Sequence, residues 1–487
     1  MTKKRRYWTS LILIAIACPG GLTAREWQVP ENAPTIQAAI DQADPGDLIL
    51  VAPGTYGERI RLKPRITLRS QGDDTAGKTG LKRAEATIID GGGESGGEAP
   101  GVIMAEGAIL DGFTVTNVGT YDEAKWQQAW DVKGANQSHE HIGHFGTPGI
   151  AVTGVTCSIL NNIVHHISAT GIAIQGEKGK RCAPLVSGNV CYRNMGGGIG
   201  SMKGSTAIID GNTCYENFYA GIGHDNASPL VTNNDCYKNV RAGIGVSEGS
   251  CAIVRGNRCY QNRRAGIGIR TGETTRPIIE DNDCYENEMA GIGVEEEAAP
   301  IIRNNRCHHN LLAGIGCQEH ANPIIDGNHC YENKAAGIGT ESASALIRGN
   351  RCEKNATTGI GINGSSTALV IGNTCEENRL VAIGIPNGGQ ALLHGNTFVR
   401  TGGGMPPIVA ILNGANATLI DNTIRGGGVG AIMLDGELTA IGNTIVGQDG
   451  GSGIVIREKG HATLSGNTIT GYKKPVNDPT KATMVGD

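Results

Sequence analysis

The chain has 487 residues, 75 of them glycine, with only 4% aromatic and 18% charged residues. That composition excludes a disordered tail, and the lack of a strict three-residue glycine period excludes collagen. Removing the leader cations Lys3, Lys4, Arg5 and Arg6 takes the 42 basic residues to 38 against 47 acidic ones, a balance that argues for no nucleic acid as partner.

Residues 1–24 read as a signal peptide: the cationic start is followed by an apolar run from Leu11 to Ala17 and by the small-residue site Leu22-Thr23-Ala24. The apolar run is too short to span a bilayer, and no later segment reads as a transmembrane helix. The expected location is secreted or periplasmic. Cys18, after Ala15-Ile16-Ala17, offers a lipid anchor as the alternative to cleavage after Ala24.

Residues 25–118 are expected to hold an N-terminal cap and the first coils of a repeat. Within them Thr35 to Ala43 places Ile36, Ala39, Ile40 and Ala43 on one helical face, suited to cover an open sheet edge. Residues 119–149 break all pattern and form an irregular insertion. It holds Trp126 and Trp130, the cluster His139, His141 and His144, and the charged residues Asp122, Glu123, Asp131, Lys133 and Glu140; His165 and His166 follow. A long loop on a rigid scaffold is a usual place for function. The tryptophans are candidate sugar-stacking platforms. His139, His141 and His144 are candidate ligands for a transition metal, although their spacing alone is a weak signal, and His139, His141, His165 and Lys133 are candidate acid–base groups.

Residues 150–472 carry a repeat marked by Asn-x-Cys, from Asn189-Val-Cys191 to Asn373-Thr-Cys375, with successive cysteines 22 to 25 residues apart. The register continues with Phe398, Ile424, Ile445 and Ile469 in place of cysteine, so this is an interior apolar position. Each unit has short apolar runs, such as Ile278-Ile279, and a Gly-Ile-Gly segment, such as 243–245 or 291–293. Runs of two to four residues between Gly, Asn and Pro are too short for helices and suit strands separated by turns. A unit of about 23 residues with three such strands is one coil of a β-solenoid. The Leu-x-x-Leu-x-Leu pattern of the rival leucine-rich repeat is missing. Stacked coils place equivalent residues about 4.8 Å apart, which predicts a cysteine ladder and an asparagine ladder running from Asn194 to Asn378. Residues 473–487 show no repeat and read as a C-terminal tail.

Three further columns follow from strand alternation. Tyr192, Tyr215, Tyr237, Tyr260, Tyr285 and Tyr331, with His308 in register, are expected to face outward as an aromatic stripe; it either stacks on sugars, with Tyr192 and Tyr215 as binding candidates, or stabilises the solenoid. Arg255, Glu280, Arg303, Asp326 and Arg348 alternate in sign from coil to coil, as cross-strand charge pairing favours. Glu295, Glu296 and Glu297 hold Ca²⁺ only if further oxygen ligands converge on them. The buried thiols are expected to act as small hydrophobes, since a soft-metal column lacks a polar route into the core.

Repeats of the form Gly-Asn-x-Cys-Tyr-x-Asn-x-x-Ala-Gly-Ile-Gly resemble those of right-handed parallel β-helix proteins of the pectin-lyase-like superfamily, and within it the carbohydrate-binding and sugar-hydrolase repeat group, which includes a copper-related periplasmic relative. Thr35 to Asp41, Pro45-Gly46-Asp47 and Val51 to Tyr56 are similar to the opening of secreted members. The resemblance implies an all-β, single-stranded right-handed parallel β-helix of about sixteen coils with a capping helix. It also implies a secreted protein that binds an extracellular polysaccharide, with cleavage by a lyase or hydrolase as an open extension. The alternative is a non-catalytic metal-delivery or structural surface protein. The catalytic patterns of the superfamily's methylesterases, polygalacturonases and alginate epimerases are absent, so no catalytic residue carries over.

Overall fold

The computed structural model describes residues 24–74, 77–137, 146–402, 406–448, 450–479 and 484–486. Each regular coil is built from three short strands set by alternation. In one coil Ile278–Glu280 points Ile279 inward, Asp283–Tyr285 points Cys284 inward, and Ile292–Val294 points Ile292 and Val294 inward; all four are fully buried. Asp281 and Glu286, at φ 56° and 54°, turn the chain between these strands, each followed by an asparagine. Every strand then pairs in parallel with its equivalent one coil on, for example Cys284 with Cys307 and Tyr285 with His308. The result is three parallel sheets, called A, B and C in chain order, around one apolar column.

Sheet A has 19 strands, more than the sixteen coils expected. The first coils, with strands at Glu26–Val29, Leu48–Val51 and Thr67–Ser70, lack the Asn-x-Cys marker and are joined through a helix in one case and the short strands Gly54–Tyr56 and Ile60–Arg61 in the other, so they leave no periodic trace. The stack also runs past residue 472: Lys474–Asn477 joins sheet C and Met484–Gly486 joins sheet A. Among the described residues no helix is long and apolar enough to cross a membrane.

Helix α1 (Ile36–Gln42) is capped by Thr35, whose hydroxyl accepts from the Ala38 amide, and by the Glu58 carboxylate, which accepts from the Ile36 and Gln37 amides. Its face of Ile36, Ala39, Ile40 and Ala43 is fully buried. The Gln37 side chain accepts from the Arg61 amide at 2.8 Å and donates weakly to the Arg61 carbonyl at 3.4 Å, bonding a strand whose other side pairs with Val102 and Ile103.

Two asparagine ladders pin the corners around sheet B. Asn282 is typical: its amide donates to Asn305 Oδ1 and to the Val254 carbonyl, both at 2.9 Å, while its Oδ1 accepts from the Asn257 backbone and side chain, both at 3.0 Å. Each buried amide is thereby satisfied, which buried polar groups require. The cysteine column from Cys191 to Cys375 is reduced and fully buried, and Phe398 and Ile424 continue it in register.

Candidate binding groove

The outward aromatic column of sheet B forms one continuous stack. His165, Tyr192, Tyr215, Tyr237, Tyr260, Tyr285, His308 and Tyr331 follow one another with centroids 4.6 to 5.1 Å apart. Tyr192 lies between His165 and Tyr215, and Tyr215 between Tyr192 and Tyr237, so their faces are covered by neighbouring rings. What they present outward is a row of edges and hydroxyls. Burial raises the Tyr260 hydroxyl to about 12. At the N-terminal end of the stack His165 lies 2.7 Å from His166 through their Nδ1 atoms, and burial, then His166, lowers its pKa to about 4.

The insertion is strapped along the corner between sheets B and C. Helix α2 (Lys82–Ala86) lies elsewhere, against the early coils, whereas α3 (Glu123–Asp131), capped by Asp122, lays Trp126 onto this corner. Trp126 is only 2% exposed, donates from its indole to the Glu216 carbonyl at 2.8 Å, and stacks on Trp130 at 5.4 Å. Arg193 sits 3.8 Å from the Trp126 ring centre and bonds Glu123 and Glu216, each at 2.7 Å; Arg263 sits 4.1 Å from Trp130. The two tryptophans expected as sugar platforms therefore anchor the insertion to the solenoid. Lys133 is exposed, and the residue after it, Gly134, donates its amide to Glu288 at 3.4 Å, five coils along the solenoid from His165. His139, His141 and His144 lie outside the described residues, as does Cys18.

Beside this corner, the outer face of sheet C carries a groove that the sequence reading missed. In each strand the residue after the buried isoleucine is glycine: Gly200, Gly223, Gly245, Gly268 and Gly293 stack in register. Nothing in the backbone demands them, since none has a left-handed φ. A Cβ at Gly223 meets nothing within 4 Å, and one at Gly245 meets only the Ala220 Cβ, at 3.8 Å. The glycines thus floor an open groove of about 200 Å³. One wall is Tyr219, Arg241, Arg264 and Met289; the other includes Asp225, Arg270 and Glu295. Burial lowers the Arg264 pKa, with Glu295 opposing; burial raises Glu295, with Arg264 opposing. The oxygens of Glu295, Glu296 and Glu319 lie within 4.8 Å of one another, so the expected acidic patch gathers Glu319 from the next coil instead of Glu297. Arg270, 4.0 Å from Glu296, offsets part of that charge.

The signal for this groove was present in the sequence. A glycine alternating with buried aliphatic residues sits mid-strand and faces outward, and a strand glycine without a conformational need is one mark of close approach by a ligand or another backbone.

This geometry is that of a right-handed parallel β-helix, the class to which the resemblance pointed. The model of the family described as right handed beta helix region matches residues 148–277 and 268–398, just over half of the sequence, and the chain belongs to that family. A comparison with curated proteins finds no match. Among solved structures, the chain is similar to the periplasmic alginate epimerase AlgG, at 13% identity over 72% of this chain and 79% of that one, with a TM-score of 0.41. It is also similar to the Azotobacter vinelandii mannuronan C-5 epimerase AlgE4 A-module, at 14% identity over 93% and 95%, with a TM-score of 0.32. A third is the GH87 α-1,3-glucanase of Streptomyces thermodiastaticus, at 12% identity over 96% and 71%, with a TM-score of 0.37.

Proposed function

We propose that this protein binds an extracellular or periplasmic polysaccharide as an extended chain along the outer face of sheet C. The observation that carries the reading is the glycine floor: five outward strand positions in register are kept bare over a groove with aromatic, cationic and acidic walls. A chain lying there approaches the backbone closely and meets side chains from both walls at every coil. Arg241, Arg264 and Arg270 favour a polymer bearing carboxylate or sulfate groups, because a guanidinium recognises such groups through paired hydrogen bonds. The signal peptide read in residues 1–24 supports a polymer outside the cytoplasm.

The metal-delivery alternative needs thiolates or histidines within reach of an ion. The column thiols are sealed in the core, where burial pushes Cys307 well up and keeps it protonated. Affinity electrophoresis against acidic and neutral glycans, with Arg264→Ala beside wild type, tests the polysaccharide reading. Retardation by uronate-bearing polymers that weakens in the variant supports it; inert behaviour toward every polymer refutes it. Following unsaturated uronates by absorbance in the same samples reads cleavage, for which Glu295 is the group in the groove whose raised pKa suits proton transfer.

A further inference from the structure

The outer face of sheet A carries a feature that polysaccharide binding does not use. From Leu185 to Leu392, ten successive coils place Ile or Leu at the same outward position, each in register with the next. Seven of the ten are more than a third exposed, so they form an unbroken aliphatic stripe facing solvent. Exposed apolar patches of this extent mark interaction surfaces. Two residues further along each strand runs the column Arg255, Glu280, Arg303, Asp326, Arg348, whose signs alternate. Within one chain Glu280 accepts from both Arg255 and Arg303, and Arg348 bonds Asp326 at 2.7 Å.

We infer that a second copy of this chain docks on this face, antiparallel, about a two-fold axis lying between the strands Ile278–Glu280 and Ile301–Arg303. Three observations converge on that axis. First, ten is an even number, so the stripe's midpoint falls between Ile278 and Ile301. A two-fold there lays Ile278 on the partner's Ile301, Ile253 on the partner's Ile324, and the ends Leu185 and Leu392 on each other.

Second, a two-fold parallel to the strands keeps each column over itself while reversing the order of coils. The same axis therefore sets Arg255 against the partner's Asp326, while Glu280, only 4% exposed, stays paired with Arg255 and Arg303 of its own chain. An axis shifted by half a coil, onto Ile278, would set Arg255 against the partner's Arg303 and oppose like charges. The alternation thus selects the register that also buries the whole stripe, as a self-complementary isologous surface must.

Third, nine coil spacings of ~4.8 Å give a patch about 43 Å long, and three outward columns, the third lying two residues before the stripe with Cys251, Arg276, Asn322 and Ser344 exposed, give a width of about 15–20 Å. That is about 650–850 Å² per copy, the area that a stable interface of standard size takes from each partner.

Sedimentation velocity of the full chain over a range of concentrations tests the inference. Wild type is expected to sediment as a dimer at micromolar concentration. Ile253→Lys/Ile324→Lys, which sets ammonium groups opposite one another, is expected to be monomeric with an unchanged β circular dichroism spectrum. Arg255→Glu and Asp326→Arg are each expected to be monomeric alone, because each self-pairing opposes like charges. Mixed, they are expected to form a heterodimer, because both cross-pairs then have opposite signs. A monomeric wild type at every concentration overturns the inference, as does a dimer that survives the paired lysines. Failure of the two charge variants to associate on mixing overturns the proposed register.

Discussion

Replacing Gly245 and Gly268 by valine separates the glycine floor's role in binding from any role in folding. A Cβ at Gly245 lies 3.8 Å from Ala220 Cβ and one at Gly268 lies 3.7 Å from Ala242 Cβ, both ordinary contacts, and neither glycine has a left-handed φ. The folded state therefore accepts the new side chains. The unfolded chain loses freedom, and a glycine inside a strand costs about 0.5–1 kcal/mol relative to alanine, so the double variant should gain about 1–2 kcal/mol. The valine methyls occupy the floor over two adjacent coils of a groove of about 200 Å³, and a glycan chain seated there must lift away from the backbone. Affinity for the best-binding polymer should drop at least tenfold, about 1.4 kcal/mol. Denaturant unfolding and affinity electrophoresis on the same preparation provide both readings. A variant that unfolds earlier yet binds as wild type does would refute the reasoning, since the glycines would then be structural. A stable variant with unchanged affinity would move the binding site off sheet C.

Asn282→Ala removes four ladder hydrogen bonds and strands buried groups of Asn257, so denaturant unfolding should show a loss of about 3 kcal/mol or more; a loss below 1 would contradict the ladder's role. Burial lowers His224 to about 3, below its usual 6.5, so the folded protein holds it neutral while the unfolded chain takes up a proton. That contribution is complete above pH 6.5 and is lost as pH falls toward 3; Ser201→Ala/His224→Val should flatten this part of the stability profile, and parallel profiles would refute the assignment. Arg193→Ala, which releases Glu123, Glu216 and the Trp126 ring, should speed proteolysis within residues 119–149 and red-shift tryptophan emission; an unchanged cleavage rate would show that other contacts hold the insertion. In the native protein a thiol reagent should reach the nine column cysteines only on unfolding, as counted by mass spectrometry.

The solenoid was legible because one residue type recurs at one structural position: Cys191 to Cys375 and Asn194 to Asn378 each report the same environment nine times. Where a coil occurs once, as at Leu48–Val51 or Thr67–Ser70, alternation over four residues gives no period to find. The insertion was visible as a break in pattern, but its packing was not. Trp126 meets the Glu216 carbonyl 90 residues away, and a contact at that range leaves no local mark. The groove failed for a different reason. Glycine is abundant at turns here, so Gly245 and Gly268 do not stand out by residue type, although each lies between buried aliphatic neighbours on a strand.

In both asparagine columns every bond from one side-chain amide to the next asparagine Oδ1 runs forward, from Asn162 to Asn467 and from Asn194 to Asn378, while the same amides also donate to a carbonyl of the preceding coil. Backbone bonds in parallel sheets point both ways along the stack and largely cancel. The asparagine-to-asparagine bonds all point one way, so each column has a direction along the solenoid, with every Oδ1 turned toward the preceding coil.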